Sequence, residues 1–434
     1  MKTDALIEKL SEIHPKGFDL SLGRITDLLE KLGNPHRSIP PAIHVAGTNG
    51  KGSTLAFCRA ILEEAGYRVH VHTSPHLVNW QERYRLAGEL VSDDVLADAV
   101  ARAAKANKDR PITIFEIMSA VMFMLFSEHE ADFSLVEVGL GGRFDATNMI
   151  SKPLVSVITP VAMDHQAYLG DTLEKIAFEK AGIIKPDCPV VVGEQEDEAR
   201  YIIEEVAAKK GSHIQIACQE FDYYEDATGF VFQDADGLMD LPMPRLAGRH
   251  QLANAGLAIA AIRATDIDVD AEAYSRAMQS VYWPGRLEKL PNGCITEKLG
   301  QTNNIWIDGG HNPNAGEVIA AELQKQNSAF PQNTLLICGM INTKDPTGYF
   351  EQFVDLKAEV ITVPVNDSDA GINPTELAKK AIDAGLPAQP ADSLGIAFEI
   401  TKNRITDDPD LRILLCGSLY MVGEVLKINQ TPPI

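Results

Sequence analysis

The segment Ala42-Ile-His-Val-Ala-Gly-Thr-Asn-Gly-Lys-Gly-Ser-Thr54 constrains this chain more than any other. Ala42–Ala46 reads as a buried strand, the glycines as a tight turn, and Lys51–Ala65 as the helix that follows. Glycines let backbone N–H groups approach phosphate oxygens, the helix N-terminus adds its dipole, and Lys51 adds a full charge. The segment therefore predicts a phosphate loop built from Gly47, Thr48, Asn49, Gly50, Lys51, Gly52 and Ser53. The pattern GxxxxGK[ST] is not met, because Val45 stands where that pattern has glycine and Gly52 follows the lysine. Gly52 has no hydroxyl to offer magnesium, so Ser53 or another hydroxyl must supply one. The plain alternative is a glycine-rich turn that only caps a helix.

The rest of the chain alternates in the same way. Val69–His72, Ser134–Val138 and Val155–Thr159 read as strands, and Thr172–Ile184 and Glu196–Lys210 as helices. This βα alternation predicts an α/β fold with a mostly parallel sheet covered by helices. Ile214–Gln233 is more strand-like and is expected to form a small antiparallel appendage. A second series begins near residue 300 with the strand Ile305–Ile307, the helix Pro313–Gln326 and the strands Thr334–Cys338, Val360–Val363 and Leu411–Leu415. Between the two lies the Pro- and Gly-containing stretch Trp283–Gly293, which reads as a hinge or linker. The expected domains are 1–293 and 294–434, in keeping with 434 residues at roughly 100–200 per domain.

Charge narrows the partners. With 39 basic against 61 acidic side chains, net −22, the surface repels nucleic acid and anionic lipid. Anionic substrates would need cations gathered locally. No apolar run approaches the roughly 18 residues of a membrane span, and Met1–Leu10 carries charges where a secretion signal would have an apolar core. The six cysteines include no CxxC pair, so neither zinc nor a disulfide framework is expected. A reducing cytoplasm fits best.

Several further segments, with the loop Gly47-Thr-Asn-Gly-Lys-Gly-Ser53, resemble the folylpolyglutamate synthase/dihydrofolate synthase family, relatives of the Mur ligases. They are Thr73-Ser-Pro-His-Leu77, Glu137-Val-Gly-Leu-Gly-Gly-Arg-Phe-Asp-Ala-Thr-Asn148, Met163-Asp-His165, Glu179-Lys-Ala-Gly-Ile-Ile-Lys185, Trp283-Pro-Gly-Arg-Leu-Glu288, Asp308-Gly-Gly-His-Asn-Pro313 and Cys416-Gly-Ser-Leu-Tyr420. Each is weak alone, whereas in this order they are highly specific. The resemblance implies an N-terminal P-loop domain, a smaller C-terminal Rossmann-like domain, and an active site between them. It implies an ATP-dependent ligase in which a carboxylate is phosphorylated to an acyl phosphate that the glutamate amine then attacks. ATP and magnesium, two ions, are the implied cofactors, with K+ and a carbamate on Lys180 as further expectations. Dihydropteroate, reduced folates and L-glutamate are the implied substrates of a monomer that binds neither nucleic acid nor membrane.

The resemblance also distributes roles. Ser74, Glu137 and His165 are expected at magnesium; the plain alternatives are a turn serine, a buried ion pair and a structural histidine. Lys180 is expected to act in catalysis rather than in a surface salt bridge with Glu179 or Glu174. Asn254, Arg286 and Asp308 are placed near the nucleotide, the alternative for Asn254 being a helix cap. His311 and Ser418 are linked to catalysis or glutamate, Ser418 being equally readable as an N-cap. Arg83 and Arg143 are candidate local cations for anionic substrates, or solvated surface charges. Asp19, Leu20, Ser21 and Leu22 resemble the Asp-Leu-x-Leu loop of bifunctional bacterial enzymes. With Thr113, Ile114, Phe115 and Glu116, and with Phe144, Asp145 and Ala146, they are expected to wall a pterin pocket in which Phe115 stacks on the flat ring. The alternatives are an enzyme that only adds further glutamates to folates, a Mur-type peptide ligase, and a nucleotide-binding regulator without ligase chemistry. Against the Mur ligase stand Gly52, where those loops usually carry Thr, and the roughly 40 residues before the loop, too few for a further domain.

Overall fold

The computed structural model describes residues 2–13, 21–300, 304–366, 368 and 370–433. The chain separates into two compact units, one formed by Met1–Arg245 with Gln251–Tyr282, the other by Leu246–His250 with Trp283–Ile434.

The first unit is built on an eight-stranded sheet: β1 (Ala42–Ala46), β2 (Val69–His72), β3 (Tyr84–Leu86), β4 (Glu89–Leu90), β5 (Phe133–Glu137), β6 (Val155–Ile158), β7 (Val190–Val192) and β8 (Ile214–Ile216), in the order β4-β3-β2-β5-β1-β6-β7-β8. β2, β5, β1, β6, β7 and β8 run parallel, while β3 and β4 add an antiparallel edge. Every residue of β1, β2, β6 and β7 is buried, the mark of strands covered on both faces. Each fully buried Val, Ile or Leu among them contributes about 1.5–3 kcal/mol. The helix Ile114–Glu128 is apolar nearly all round and buried from Glu116 to Phe126, so it carries no amphipathic stripe. The expected appendage is present but shifted: Ile214–Ile216 belongs to the parallel sheet, and β9 (Phe221–Glu225), β10 (Phe230–Asp234) and β11 (Gly237–Leu241) form a separate antiparallel sheet.

The second unit carries a six-stranded sheet. It comprises β12 (Glu288–Lys289), β13 (Ile305–Ile307), β14 (Thr334–Cys338), β15 (Glu359–Thr362), β16 (Ala388–Pro390) and β17 (Arg412–Cys416), in the order β12-β13-β17-β14-β15-β16. All neighbours are parallel except β12 and β13. The expected boundary at 293 therefore shifts to between Tyr282 and Trp283. The second half of the presumed linker is an edge strand, hydrogen-bonded in register Glu288↔Ile307 to the second sheet.

Candidate active site

In α/β sheets, sites form at the C-terminal ends of the parallel strands. β1 ends at Ala46, and the chain then turns through Gly47 with φ 147° and Gly50 with φ 87° into the helix Lys51–Glu64. A methyl group at Gly47 would overlap Thr159 Oγ1, and one at Gly50 would overlap the Asn254 carboxamide. Both positions thus need glycine for conformation and for space. The loop is seated by Thr48, whose N–H donates to the Pro160 carbonyl at 3.0 Å and whose hydroxyl donates to the Ala162 carbonyl at 3.1 Å. Lys51 Nζ donates to the Gly47 carbonyl at 3.1 Å and to the Thr48 carbonyl at 3.2 Å, so the ammonium lies over the loop. Ser53 is 2% exposed, inside the first helical turn. Asn254 is not at a helix start: it sits inside the helix Arg249–Arg263, buried, with Nδ2 donating to Gln251 Oε1 at 3.0 Å. Its other carboxamide atom lies against Gly50, so it supports the loop rather than capping its own helix.

Glu137 ends β5 in register with Val45, which brings its carboxylate beside the phosphate loop. It is 5% exposed, and Oε2 accepts the Ser74 N–H at 3.2 Å. Ser74 Oγ accepts from Arg83 Nη1 at 2.9 Å, and Arg83 Nε donates to His76 Nδ1 at 2.7 Å. Burial pushes the His76 imidazole down to about 3, aided by the Arg83 charge. Glu82 secures the same loop, accepting backbone N–H groups of Leu77, Val78 and Asn79 at 2.7, 2.9 and 2.6 Å. Arg83 is therefore not the solvated cation that the sequence allowed. It is 6% exposed, with its guanidinium 4.6 Å from the Trp80 ring centroid. Ser74 and Glu137 offer hard oxygen donors of the kind magnesium takes together with waters and phosphate, so the residues present fit one such ion. A second ion through His165 is less well provided. That ring is 37% exposed, follows the left-handed φ of 52°, and has Asp164 Oδ2 at 3.8 Å from Nε2. Among the described residues no group of three His, Cys, Asp or Glu side chains is arranged to hold a metal.

Lys180 lies in the last turn of the helix Leu173–Ala181 and is 5% exposed, so it is not a surface side chain. Its Nζ donates to the Gly47 carbonyl at 2.8 Å, the oxygen that Lys51 also reaches. Glu179 instead pairs with Arg143, which stacks over Phe144 and Phe178 at 4.3 and 5.0 Å. The Gly139–Asn148 segment is fastened to that helix: Arg143 N–H donates to the Glu179 carbonyl at 2.7 Å, and Asn148 Nδ2 donates to the Gly182 carbonyl at 3.2 Å. Asp145 works within this loop, its carboxylate accepting from Leu140 N and Thr147 N, both at 2.9 Å. Ala146 opens the short helical turn that follows.

Asp19 and Leu20 lie outside the described residues. Ser21 and Leu22 precede the helix Gly23–Lys31, whose Arg24 donates to Glu116 Oε2 at 3.0 and 3.2 Å. Thr113 and Glu116 form a reciprocal cap at the start of the helix Ile114–Glu128, so both are committed to structure. Ile114 is buried. Phe115 is 37% exposed on that first turn, which sets aside the core-aromatic alternative.

In the second unit Asp308 follows β13. It is 4% exposed, and its carboxylate accepts from Leu287 N at 2.7 Å and Gly310 N at 2.6 Å. Burial raises its carboxyl above the usual range, while the nearby Arg286 charge and those two hydrogen bonds oppose the rise. His311 Nδ1 lies 2.8 Å from the Gly309 carbonyl. Ser418 caps the helix Leu419–Asn429, its Oγ accepting from Tyr420 N at 3.2 Å, so the N-cap alternative holds for its side chain. Among residues that sequence reasoning did not single out, His76, Trp80 and Glu82 organise the loop of Ser74, and Gln251 holds Asn254. His76 lay within the motif Thr73–Leu77, and Glu82 had the capping-box spacing after Asn79; Trp80 and Gln251 had no local signal.

Known proteins resemble this arrangement. Residues 45–262 match the Mur ligase middle domain family and residues 294–428 the dihydrofolate synthetase C-terminal domain family. The dihydrofolate synthase/folylpolyglutamate synthase of Escherichia coli strain K12 is 31% identical over 427 residues, covering 96% of this chain and 93% of that protein. The solved structure of E. coli FolC in complex with DHPP and ADP superposes with a TM-score of 0.86 at 30% identity, covering 98% of this chain and 97% of that one. A bifunctional folylpolyglutamate synthase/dihydrofolate synthase with Mn, AMPPNP and L-glutamate bound gives 0.83 at 28% identity, covering 97% of each chain.

Proposed function

Because the chain belongs to the dihydrofolate synthase/folylpolyglutamate synthase family of Mur-type ligases, we propose that it joins L-glutamate both to dihydropteroate and to reduced folates. It is an ATP-dependent acid–amino-acid ligase. The observation that carries the reading is the register Val45↔Glu137, which sets a buried carboxylate beside a glycine-built phosphate loop.

Lys51 and the N-terminal turn of its helix hold the phosphates of ATP. Ser74 and Glu137 hold a divalent ion, whose charge offsets that of the transferring phosphoryl group. The pterin-linked carboxylate oxygen attacks the γ-phosphorus as the bond to ADP breaks. The neutral glutamate amine then attacks the acyl carbon, phosphate leaves with the C–O bonding pair, and the nitrogen gives up a proton to water. Phe115 offers its exposed face to the pterin. Both acceptors present a carboxylate to the same phosphoryl group and differ in its distance from the pterin, which makes one site for both additions workable. Purified protein with ATP and labelled glutamate should glutamylate dihydropteroate and tetrahydrofolate alike. Failure with dihydropteroate alone would reduce the reading to an enzyme that only extends folates, and ADP release indifferent to glutamate and pterin would remove the ligase reading.

Lys180 is proposed to carry a carbamate. The support is its position: Nζ is buried beside the phosphate loop and reaches the same Gly47 carbonyl as Lys51. In the modification the neutral amine attacks carbon dioxide, a C–N bond forms, one C=O pair moves to oxygen, and a proton goes to water. The product is an anion whose remaining N–H can still reach Gly47. The expected result is a carbamate carbon resonance in protein equilibrated with 13C-bicarbonate, absent from Lys180→Ala; equal spectra for the two proteins would refute it. No observation carries the K+ expectation.

A further inference from the structure

We propose that Arg83 is a positioning residue: fixed by His76 and Trp80, it holds the Ser74 hydroxyl as an oxygen donor for the divalent ion. The proposal rests on the reading that Ser74 and Glu137 hold that ion.

The geometry is closed on every side. Arg83 Nη1 donates to Ser74 Oγ at 2.9 Å, and Nε donates to His76 Nδ1 at 2.7 Å. The same guanidinium lies 4.6 Å from the Trp80 centroid, and the His76 and Trp80 rings are 4.5 Å apart. The backbone of Arg83 is tied to the strand that leads into Ser74: its carbonyl accepts the Thr73 N–H at 3.2 Å and lies 3.0 Å from His72 Nδ1. Side chain and main chain of one residue thus span the turn that bears Ser74.

The chemistry follows from protonation. Guanidinium donates and never accepts, so Ser74 Oγ must accept from it and must turn its own proton elsewhere. That removes the rotor freedom of an isolated serine and leaves one defined lone pair for a metal. His76 must present an unprotonated Nδ1 to accept from Nε. Lysine could not replace this arginine, since one ammonium on a flexible stem cannot make two divergent hydrogen bonds and stack on an indole. Partners that orient a metal ligand typically change metal affinity 10–100-fold. The guanidinium charge works the other way by repelling the ion, so a double-mutant cycle is needed to isolate the positioning effect.

The test is Mn2+ affinity, measured by titration on the full chain with a non-hydrolysable ATP analogue, for wild type, Arg83→Met, Ser74→Ala and the double variant. We expect Arg83→Met to weaken Mn2+ roughly tenfold and the double variant to bind no more weakly than Ser74→Ala alone. An Arg83→Met effect that is the same whether residue 74 is serine or alanine would overturn the proposal. Unchanged affinity in Ser74→Ala would instead remove the metal reading beneath it, and the proposal with it. Should Arg83→Met fold poorly, His76→Phe keeps a ring against Trp80 while removing the acceptor. It is expected to weaken Mn2+ severalfold, and wild-type affinity there would equally refute the proposal.

Discussion

Lys51→Ala is expected to lower turnover by roughly a thousandfold or more, the range seen when a fixed cation or donor is taken from a phosphoryl- or acyl-transfer site. The ammonium is aimed along the loop by the Gly47 and Thr48 carbonyls. It therefore needs little rearrangement to meet a phosphate, and preorganised charge of this kind acts most strongly on the transition state. The fold should survive. Lys51 is half-buried in the first turn of its helix, its removal leaves the Gly47 carbonyl still bonded to Lys180 and frees only a bond to the half-buried Thr48, and alanine suits a helix. Steady-state turnover with dihydropteroate, ATP and glutamate, read beside a urea midpoint, checks both halves. Wild-type-like turnover would end the phosphate-loop assignment.

Gly47→Ala should be worse for the protein as a whole. At φ 147° the backbone is in territory that L side chains rarely adopt, at a cost of about 1–3 kcal/mol. The added methyl would also overlap Thr159 Oγ1, and overpacking of this kind costs another 1–3 kcal/mol. A loss of about 2–6 kcal/mol is a large part of the stability of most domains. The shift of the loop would further misplace the carbonyl that Lys51 and Lys180 both address. Urea denaturation should show the drop, and nucleotide affinity measured well below the midpoint should fall as well. Thr159→Gly in the same chain should recover only the side-chain part of the overpacking, because the Thr159 carbonyl oxygen would still lie 2.9 Å from the added methyl, and none of the backbone share. A Gly47→Ala protein with an unchanged midpoint would show that the loop can relax, and the space argument would fail.

Much of the first sheet was legible because parallel strands covered on both faces are continuous apolar runs. Ala42–Ala46 and Val69–His72 are strands over the bounds read from sequence. Tyr84–Leu86 and Glu89–Leu90 escaped notice, being short and polar edge strands held by pairing with distant residues. The boundary near 293 failed for the same reason: nothing local in Glu288–Lys289 announces its partner Ile307. At the site, Lys51 and Glu137 were readable because spacing alone carries them to a strand end. Arg83 and Lys180 were not readable as buried groups. Their surroundings come from His76, Trp80 and Gly47, brought together only by the fold. Asn254 was misplaced by about one turn because its helix starts at Arg249, and the side chain then points at Gly50 rather than at its own N-terminus.

The clasp of Glu82 on three successive amides has a kinetic consequence. Ordering one residue of a floppy loop costs about 1–2 kcal/mol of chain entropy. A loop that had to settle around each arriving nucleotide would bear that cost at every encounter and would slow capture accordingly. Here Leu77, Val78 and Asn79 are already immobilised by a carboxylate that forms no part of the ligand set. The cost is met once, when the chain folds, and the partner of that bond is the chain itself. Capture can then run at the pace of diffusion and dehydration, with tightness set by contacts to the ligand rather than by the reluctance of the loop.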